Sequence, residues 1–215
     1  MIKDGILVRS GIVVAEAAGP VRALLLAERT ALNFLQRLSG TATLTRKYVD
    51  AVKDFPCKVL DTRKTTPGLR TLEKYAVRMG GGTNHRIGLY DAALVKDNHI
   101  EATGSIADAV KAVRRHAPFM AKVEVEAGNL KQVQEAVDAR ADVIMLDNMT
   151  IAEMAEAVRL VNKRAWVEAS GGITIESIRQ VAETGVDFIS SGALTHSAPV
   201  VDFNMKITMN DRYRS

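Results

Sequence analysis

The segment Asp142-Val143-Ile144-Met145-Leu146-Asp147-Asn148 is an apolar run that ends in two polar residues. A helical pattern through Met154, Val158 and Val161 follows it, and then a second run, Trp166-Val167-Glu168-Ala169, which ends in Ser170-Gly171-Gly172. Strand, helix, strand on this spacing is the unit of a parallel sheet, and strands apolar almost throughout belong to a sheet covered on both faces. The unit repeats outward in both directions. Upstream, Lys122 to Glu126 precedes a helical pattern through Leu130, Val133 and Val137, and Ala92 to Lys96 precedes one through Ile106, Val110 and Val113. Before these, Cys57 to Asp61 precedes a pattern through Leu69, Leu72, Tyr75, Ala76 and Met79. Downstream, a helix through Ile178 and Val181 leads to a last strand, Asp187 to Ser191. Right-handed crossovers leave two architectures, an open doubly wound sheet and a barrel.

The strand ends decide between them. In order they carry Asp61-Thr62-Arg63-Lys64, Lys96-Asp97, Glu126, Asp147-Asn148, Ser170-Gly171-Gly172 and Ser190-Ser191-Gly192. Every strand delivers a polar group at its carboxyl end. A barrel gathers such ends in one mouth, whereas an open sheet scatters those far from its crevice. The last two ends are Ser-Gly sequences, where barrels commonly bind phosphate, and glycine lets backbone N–H groups approach an anion. The fold expected is therefore α/β, an incomplete parallel barrel of about six to seven strands.

Ahead of the alternation, leucines at three- and four-residue steps from Ala27 (Leu32, Leu35, Leu38, then Leu44, Tyr48, Val52) predict a long helix, with Ser39-Gly40 interrupting it. Residues Gly5 to Glu16 read as two short strands around a turn at Arg9-Ser10-Gly11. An isolated hairpin is marginal in water, so it must lean on the rest or belong to something larger. The organisation expected is a remnant over residues 1–26 and a barrel over 27–215.

With 47% hydrophobic and 25% charged residues over 215 positions, the chain has ordinary globular composition. Its net charge is +4, but the cations form no run and aromatics are only 5%, so a pocket for a small polyanion is expected and nucleic acid is not. Cys57 is the single cysteine, which excludes an internal disulfide and fits a reducing, cytoplasmic setting. No apolar run approaches ~18 residues, so no membrane span is expected.

Arg63, Lys64, His85, Arg86 and Lys96 supply cationic or hydrogen-bonding heads where loops are expected, around Gly80-Gly81-Gly82. Forked guanidinium groups bind carboxylate and phosphate in a bidentate way, so converging cations suit a ligand with several anionic groups. Glu126 and Asp147 could form an acid/base pair, hold sugar hydroxyls, or share Mg²⁺ with a phosphate ligand. Glu124 and Glu126 share one face of their strand, and spacing does not say which meets the ligand. His85 and His99 have no zinc-like spacing.

Ala27-Glu28-Arg29-Thr30-Ala31-Leu32-Asn33, Leu38-Ser39-Gly40, Asp61-Thr62-Arg63-Lys64-Thr65, the segment from Gly80 to Arg86 and Lys96-Asp97-Asn98-His99 resemble quinolinate phosphoribosyltransferases. So do Val123-Glu124-Val125-Glu126, Leu146-Asp147-Asn148, Glu168-Ala169-Ser170-Gly171-Gly172 and Gly192-Ala193-Leu194-Thr195-His196. The resemblance spans about Asp4 to Ile207. It implies an incomplete α/β barrel with an N-terminal sandwich domain, of which residues 1–26 resemble only the final strands. It further implies transfer of phosphoribosyl from phosphoribosyl pyrophosphate to quinolinate, with decarboxylation to nicotinate mononucleotide, in a dimer or dimer-based hexamer using Mg²⁺. On that resemblance Arg63, His85, Arg86 and Lys96 hold quinolinate, with Arg29 reaching in from a neighbouring subunit. Lys64 lies between the two substrates. Glu126 and Asp147 face the ribose hydroxyls and the metal, and Ser170, Gly171, Gly172 and Gly192 the 5′-phosphate. Two rivals stand beside it, a pyrophosphorylase acting on another base and a non-catalytic barrel kept as a binding subunit.

Overall fold

The structure, a computed structural model, describes residues 1–208. Residues 209–215 of the expected barrel segment lie outside the described residues. Along the chain the elements are α1 (Val21–Ala51), β1 (Lys58–Leu60), α2 (Arg70–Met79), β2 (Ala93–Val95), α3 (Asp97–Thr103) and α4 (Ile106–His116). Then come β3 (Val123–Ala127), α5 (Leu130–Asp138), β4 (Val143–Asp147), α6 (Ile151–Val161), β5 (Trp166–Ser170), α7 (Ile178–Glu183), β6 (Phe188–Ser190) and α8 (Ala193–His196). Polar side chains start several helices where the strand-end loops hand over to them: Ser105, Asn129 and Thr150 each accept the N–H three residues on, and Glu153 returns the bond to Thr150.

All six strands are parallel, in the order β1-β6-β5-β4-β3-β2. That is chain order wrapped into a ring, as in an α/β barrel, but β1 and β2 do not pair, so the ring stays open. Thr83 covers part of the free edge of β1: its N–H donates to the Val59 carbonyl (2.8 Å), and its own carbonyl accepts from Asp61 N–H (3.3 Å). The register sets Glu126 beside Met145, Met145 beside Glu168, and Asp147 beside Ser170. Odd-and-even alternation puts these side chains on one face, with Glu124 one step below Glu126. The other face packs on the helices through a core that includes Val125, Ile144, Leu146, Ala169, Ile189, Val133, Ala157 and Ile178.

Three expectations are corrected. α1 runs unbroken through Ser39-Gly40, because Gly40 is there for close approach: a Cβ on it would strike the Pro199 carbonyl. Residues 5–16 form no strand, although Ile2 N–H bonds the Val14 carbonyl at 3.0 Å, and Ile6, Leu7, Ile12 and Val13 are exposed. Side chains left this exposed bury too little apolar surface to hold a hairpin together. Finally, the helix α3 lies where no periodicity announces one. None of its residues is buried, so it has no apolar stripe to be read.

Gly80 and Gly82 have a structural task as well. A Cβ on Gly80 would lie 2.6 Å from Cβ of Thr45, and one on Gly82 would lie 2.8 Å from Cγ2 of the same threonine. The glycine triplet thus lets α1 press against the segment that edges β1. It belongs to packing more than to ligand binding.

Candidate active site at the carboxyl ends of the strands

β1 ends in Asp61, which is fully buried. Its carboxylate pairs with Lys74 of α2, accepts from Asn84 Nδ2 at 2.6 Å and from the His85 N–H at 2.9 Å. Burial pushes the Asp61 carboxyl up from its ordinary range, and Lys74 pulls it back. This node fastens the strand end to the loop that carries His85 and Arg86.

His85 turns its Nε2 into the barrel, 3.0 Å from Glu124 and 3.5 Å from Glu168. Both carboxylates are buried, and Oε1 of each lacks a hydrogen-bond partner among the described residues. Burial alone would lower the ring's pKa, but the two carboxylates outweigh it and push it to about 10. Glu124 is itself pushed up by burial and drawn down by His85. On its other side the ring accepts the Arg86 N–H at Nδ1, 2.8 Å away. With Nδ1 accepting, the ring hydrogen stands on Nε2, facing the two carboxylates. His85, Glu124 and Glu168 are also grouped closely enough to hold a metal ion. A ligating imidazole must present a lone pair, and here Nε2 carries the hydrogen, so this cluster does not suit a metal.

Arg86 is half-buried; burial lowers its pKa first, and the charge of Arg63 adds to that, which puts the two guanidinium groups within each other's field. Its NH1 donates to the Ala92 carbonyl at 2.9 Å. Lys96 caps α3, its backbone N–H given to His99 Nδ1 at 3.0 Å, and its ammonium meets Glu126 at 3.0 Å. Glu126 thus stands at the mouth and Glu124 below it, an assignment that alternation leaves open.

On the far side Asp147 accepts from Asn148 Nδ2 at 2.9 Å, and Ser170 Oγ accepts from Ser190 Oγ at 3.0 Å. Gly171 has φ +94° and a Cβ there would run into the Asn148 side chain, while Gly172, at φ +60°, faces open space. Lys64 closes the circle. Its Cδ lies 2.9 Å from where a Cβ on Gly192 would be, and Thr195 Oγ1 donates to its carbonyl at 2.7 Å. Arg29 is the exception: it is exposed on α1, and no ion pair or side-chain hydrogen bond joins it to another site residue among the described residues.

Three contributors were not singled out from the sequence as site residues. Glu168 carries the same signal as Glu124, a charge in mid-strand on the inward face. Asp61 stands in a quoted motif but without a role. Lys74 has no signal at all, because a lysine in an amphipathic helix ordinarily faces water.

Residues 41–206 match the family described as quinolinate phosphoribosyl transferase, C-terminal domain, and residues 1–39 match its N-terminal domain. A probable nicotinate-nucleotide pyrophosphorylase [carboxylating] from Synechocystis is 50% identical over 210 residues, covering 96% of this chain and 71% of the relative. One of the same description from Bacillus subtilis is 51% identical, covering 97% and 72%. Among solved structures, NadC from Streptococcus pyogenes superposes with a TM-score of 0.91 at 51% identity, over 95% of this chain and 72% of that one. Sequence match, fold and the ring of cations and carboxylates agree, and the chain belongs to the quinolinate phosphoribosyltransferase family.

Proposed function

We propose that this chain transfers the phosphoribosyl group of phosphoribosyl pyrophosphate to the ring nitrogen of quinolinate and releases carbon dioxide and diphosphate, giving nicotinate mononucleotide. One observation carries this: the loops of Arg63 and of His85–Arg86 flank the open seam, while Asp147, Ser170 and the glycines at 171–172 stand at the paired ends of β4 and β5. A dicarboxylate and a phosphorylated sugar are the two ligands that such a division suits.

Arg63, Arg86 and Lys96 hold the two carboxylates of quinolinate, while His85, whose two ring nitrogens already meet Glu124, Glu168 and the Arg86 N–H, steadies the loop that presents Arg86. Lys64 lies between the substrates. The N–H groups around Ser170, Gly171, Gly172 and Gly192 take the 5′-phosphate, as backbone amides do where no side chain intervenes. Glu126 and Asp147 face the ribose hydroxyls. They are hard oxygen donors, partly exposed and on neighbouring inward positions, and this donor set fits Mg²⁺ shared with phosphate oxygens. When bound, the ion neutralises charge on the leaving diphosphate.

As diphosphate departs, the ribose becomes oxocarbenium-like and quinolinate nitrogen captures it. The C–C bond to the adjacent carboxylate then breaks, carbon dioxide leaves without a protein base, the electron pair stays on the ring carbon beside the cationic nitrogen, and that carbon takes a proton from water. The protein's part is position and charge. Holding two reactants in line can be worth ~7–11 kcal/mol, and fixed cations in a dry mouth add to that. Arg29 reaches the mouth of a neighbouring subunit in a dimer or dimer-based hexamer, and the chain works in the cytoplasm.

The test is to supply quinolinate carrying a labelled carboxylate with phosphoribosyl pyrophosphate and Mg²⁺, and to follow CO₂ release and the nucleotide. Nicotinate and nicotinamide replace quinolinate in parallel reactions. Turnover of quinolinate alone is expected, lost with a chelator and restored by Mg²⁺. Turnover of another base would favour the related pyrophosphorylase. No turnover and no heat on titration with either substrate would leave a non-catalytic barrel.

A further inference from the structure

The first turn of α2 carries three charged side chains, Arg70, Glu73 and Lys74, at i, i+3 and i+4. Two of them are cations at a helix N-terminus, where the backbone dipole disfavours positive charge. Lys74 is only 2% exposed and Glu73 not at all, although such residues are almost never buried without partners. What each touches explains the cost.

Arg70 spans two loops. Its Nε donates to Thr65 Oγ1 at 3.0 Å and its NH2 to the Arg63 carbonyl at 3.2 Å, while NH1 donates to the Ile87 carbonyl at 3.0 Å. Glu73 takes the first loop alone: it accepts from the Thr66 N–H at 3.0 Å and the Thr66 hydroxyl at 2.7 Å, with Arg37 of α1 behind it at 3.1 Å. Lys74 takes the second, donating to the His85 carbonyl at 2.9 Å and pairing with Asp61, while Asn84 Nδ2 returns to the Lys74 carbonyl at 2.9 Å. The two loops gripped are those of Arg63–Lys64 and His85–Arg86. They emerge beside the open seam of the barrel, where β1 and β2 do not pair and the single bridge of Thr83 to β1 is the backbone link between the two segments among the described residues.

We infer that Arg70, Glu73 and Lys74 are positioning residues, a staple on α2 that sets the distance between the Arg63 loop and the His85–Arg86 loop and so tunes affinity for the dicarboxylate. This rests on the assignment of those loops to quinolinate. Arg70 points its donors at backbone carbonyls and has no need to touch ligand. A misplacement of about 1 Å between groups that grip one small rigid ligand can cost roughly 100-fold.

Arg70→Met is the first variant, since Arg70 is half-exposed and its loss leaves no buried charge. Hydrogen exchange of the ligand-free protein is measured first: peptides covering 62–69 and 84–88 should both exchange faster, and those of β4 and β5 should not. Calorimetric titration then reads each ligand. Quinolinate affinity should fall about 10- to 100-fold while phosphoribosyl pyrophosphate stays within about threefold, and KM for quinolinate should rise more than kcat falls. Arg70→Lys keeps the charge but cannot bridge both carbonyls, so it should restore little of the loss. Lys74→Met extends the test, and Val161→Ala in the core of α6 serves as a control matched for lost thermal stability. Unchanged exchange in the two loops would overturn the inference, as would equal loss of both ligands, full rescue by lysine, or the same quinolinate loss in Val161→Ala. Should the wild type bind no quinolinate, the functional proposal fails, and the exchange result still decides whether the staple exists.

Discussion

The two halves of the mouth are held by different means. On the β4–β6 side, Asp147, Ser170 and the glycine loop stand directly on paired strands, and their positions follow from the ladder between β4, β5 and β6. On the β1–β2 side each strand is laddered on one flank only, to β6 and to β3, and between the two stands just the bridge of Thr83 to β1. There the loops are tied by buried charges instead: Asp61 with Lys74, Glu73 with Arg37, His85 with Glu124 and Glu168. Backbone pairing is cheap and forgiving of side-chain change. A buried ion pair is neither, because removing one partner strands the other charge away from water. The lesson is that where a barrel stays open, its site depends for shape on polar side chains far more than where it is paired.

The largest expected effect follows from that asymmetry. Asp61→Ala leaves Lys74 buried without its carboxylate and should lose roughly 3–5 kcal/mol of stability, with quinolinate turnover gone. Asp147→Asn on the paired side should hold stability within about 0.5 kcal/mol and damage turnover and phosphoribosyl pyrophosphate binding, with quinolinate binding nearly intact. Chemical denaturation and calorimetry read both. Equal destabilisation of the two would erase the contrast drawn here.

Next come the ligand contacts. Arg63→Ala and Arg86→Ala each remove a charge-assisted bond worth roughly 1.5–3 kcal/mol, so quinolinate binding should weaken by about 10- to 150-fold. Phosphoribosyl pyrophosphate should be barely affected. If both ligands weaken alike, the split of the mouth into two halves is wrong.

Glycine loops sharpen the comparison on the backbone side. Gly171→Ala meets both a left-handed φ of +94° and the Asn148 side chain, whereas Gly172→Ala meets only its φ of +60°, with open space around it. The left-handed conformation costs a residue with a Cβ about 1–2 kcal/mol. Gly172→Ala should stay in that range, and Gly171→Ala should exceed it and disturb phosphate binding. The two unfolding midpoints decide, and the opposite ranking would mean that Asn148 moves freely aside.

A last effect is one of pH. His85 is held at about 10 in the folded protein against an ordinary value near 6.5, so folding retains a proton that the unfolded chain has given up. That contribution is complete below about pH 6.5 and is lost as the pH rises through about 10, so stability should decline across the window. The raised carboxyl of Glu124 acts with the same sign. Glu168→Gln removes one of the carboxylates and should flatten the slope; denaturation midpoints from pH 6 to 10 measure it. A slope unchanged in that variant would detach the proton from this cluster.

What could be read without a structure follows from periodicity. Six apolar runs, each ending in polar residues, imply a parallel barrel, because burial on both faces leaves its mark in composition and a mouth leaves its mark at strand ends. Arg63, Lys96, Glu126 and Asp147 could be placed near strand ends for the same reason. The continuity of α1 through Gly40 was not: a glycine that breaks a helix and one that lets another backbone approach look alike in one dimension. Nor was α3, of which only Ile100 packs, partly buried, against the core. Glu168 and Lys74 lay hidden most deeply. Their roles consist in meeting residues 83 and 13 positions away, His85 and Asp61, and a buried charge is distinguished from a solvated one only by its partners. Which face a residue occupies is a local property that sequence carries. Whether a charge on that face is satisfied depends on chain segments brought together by folding, and only the tertiary structure decides it.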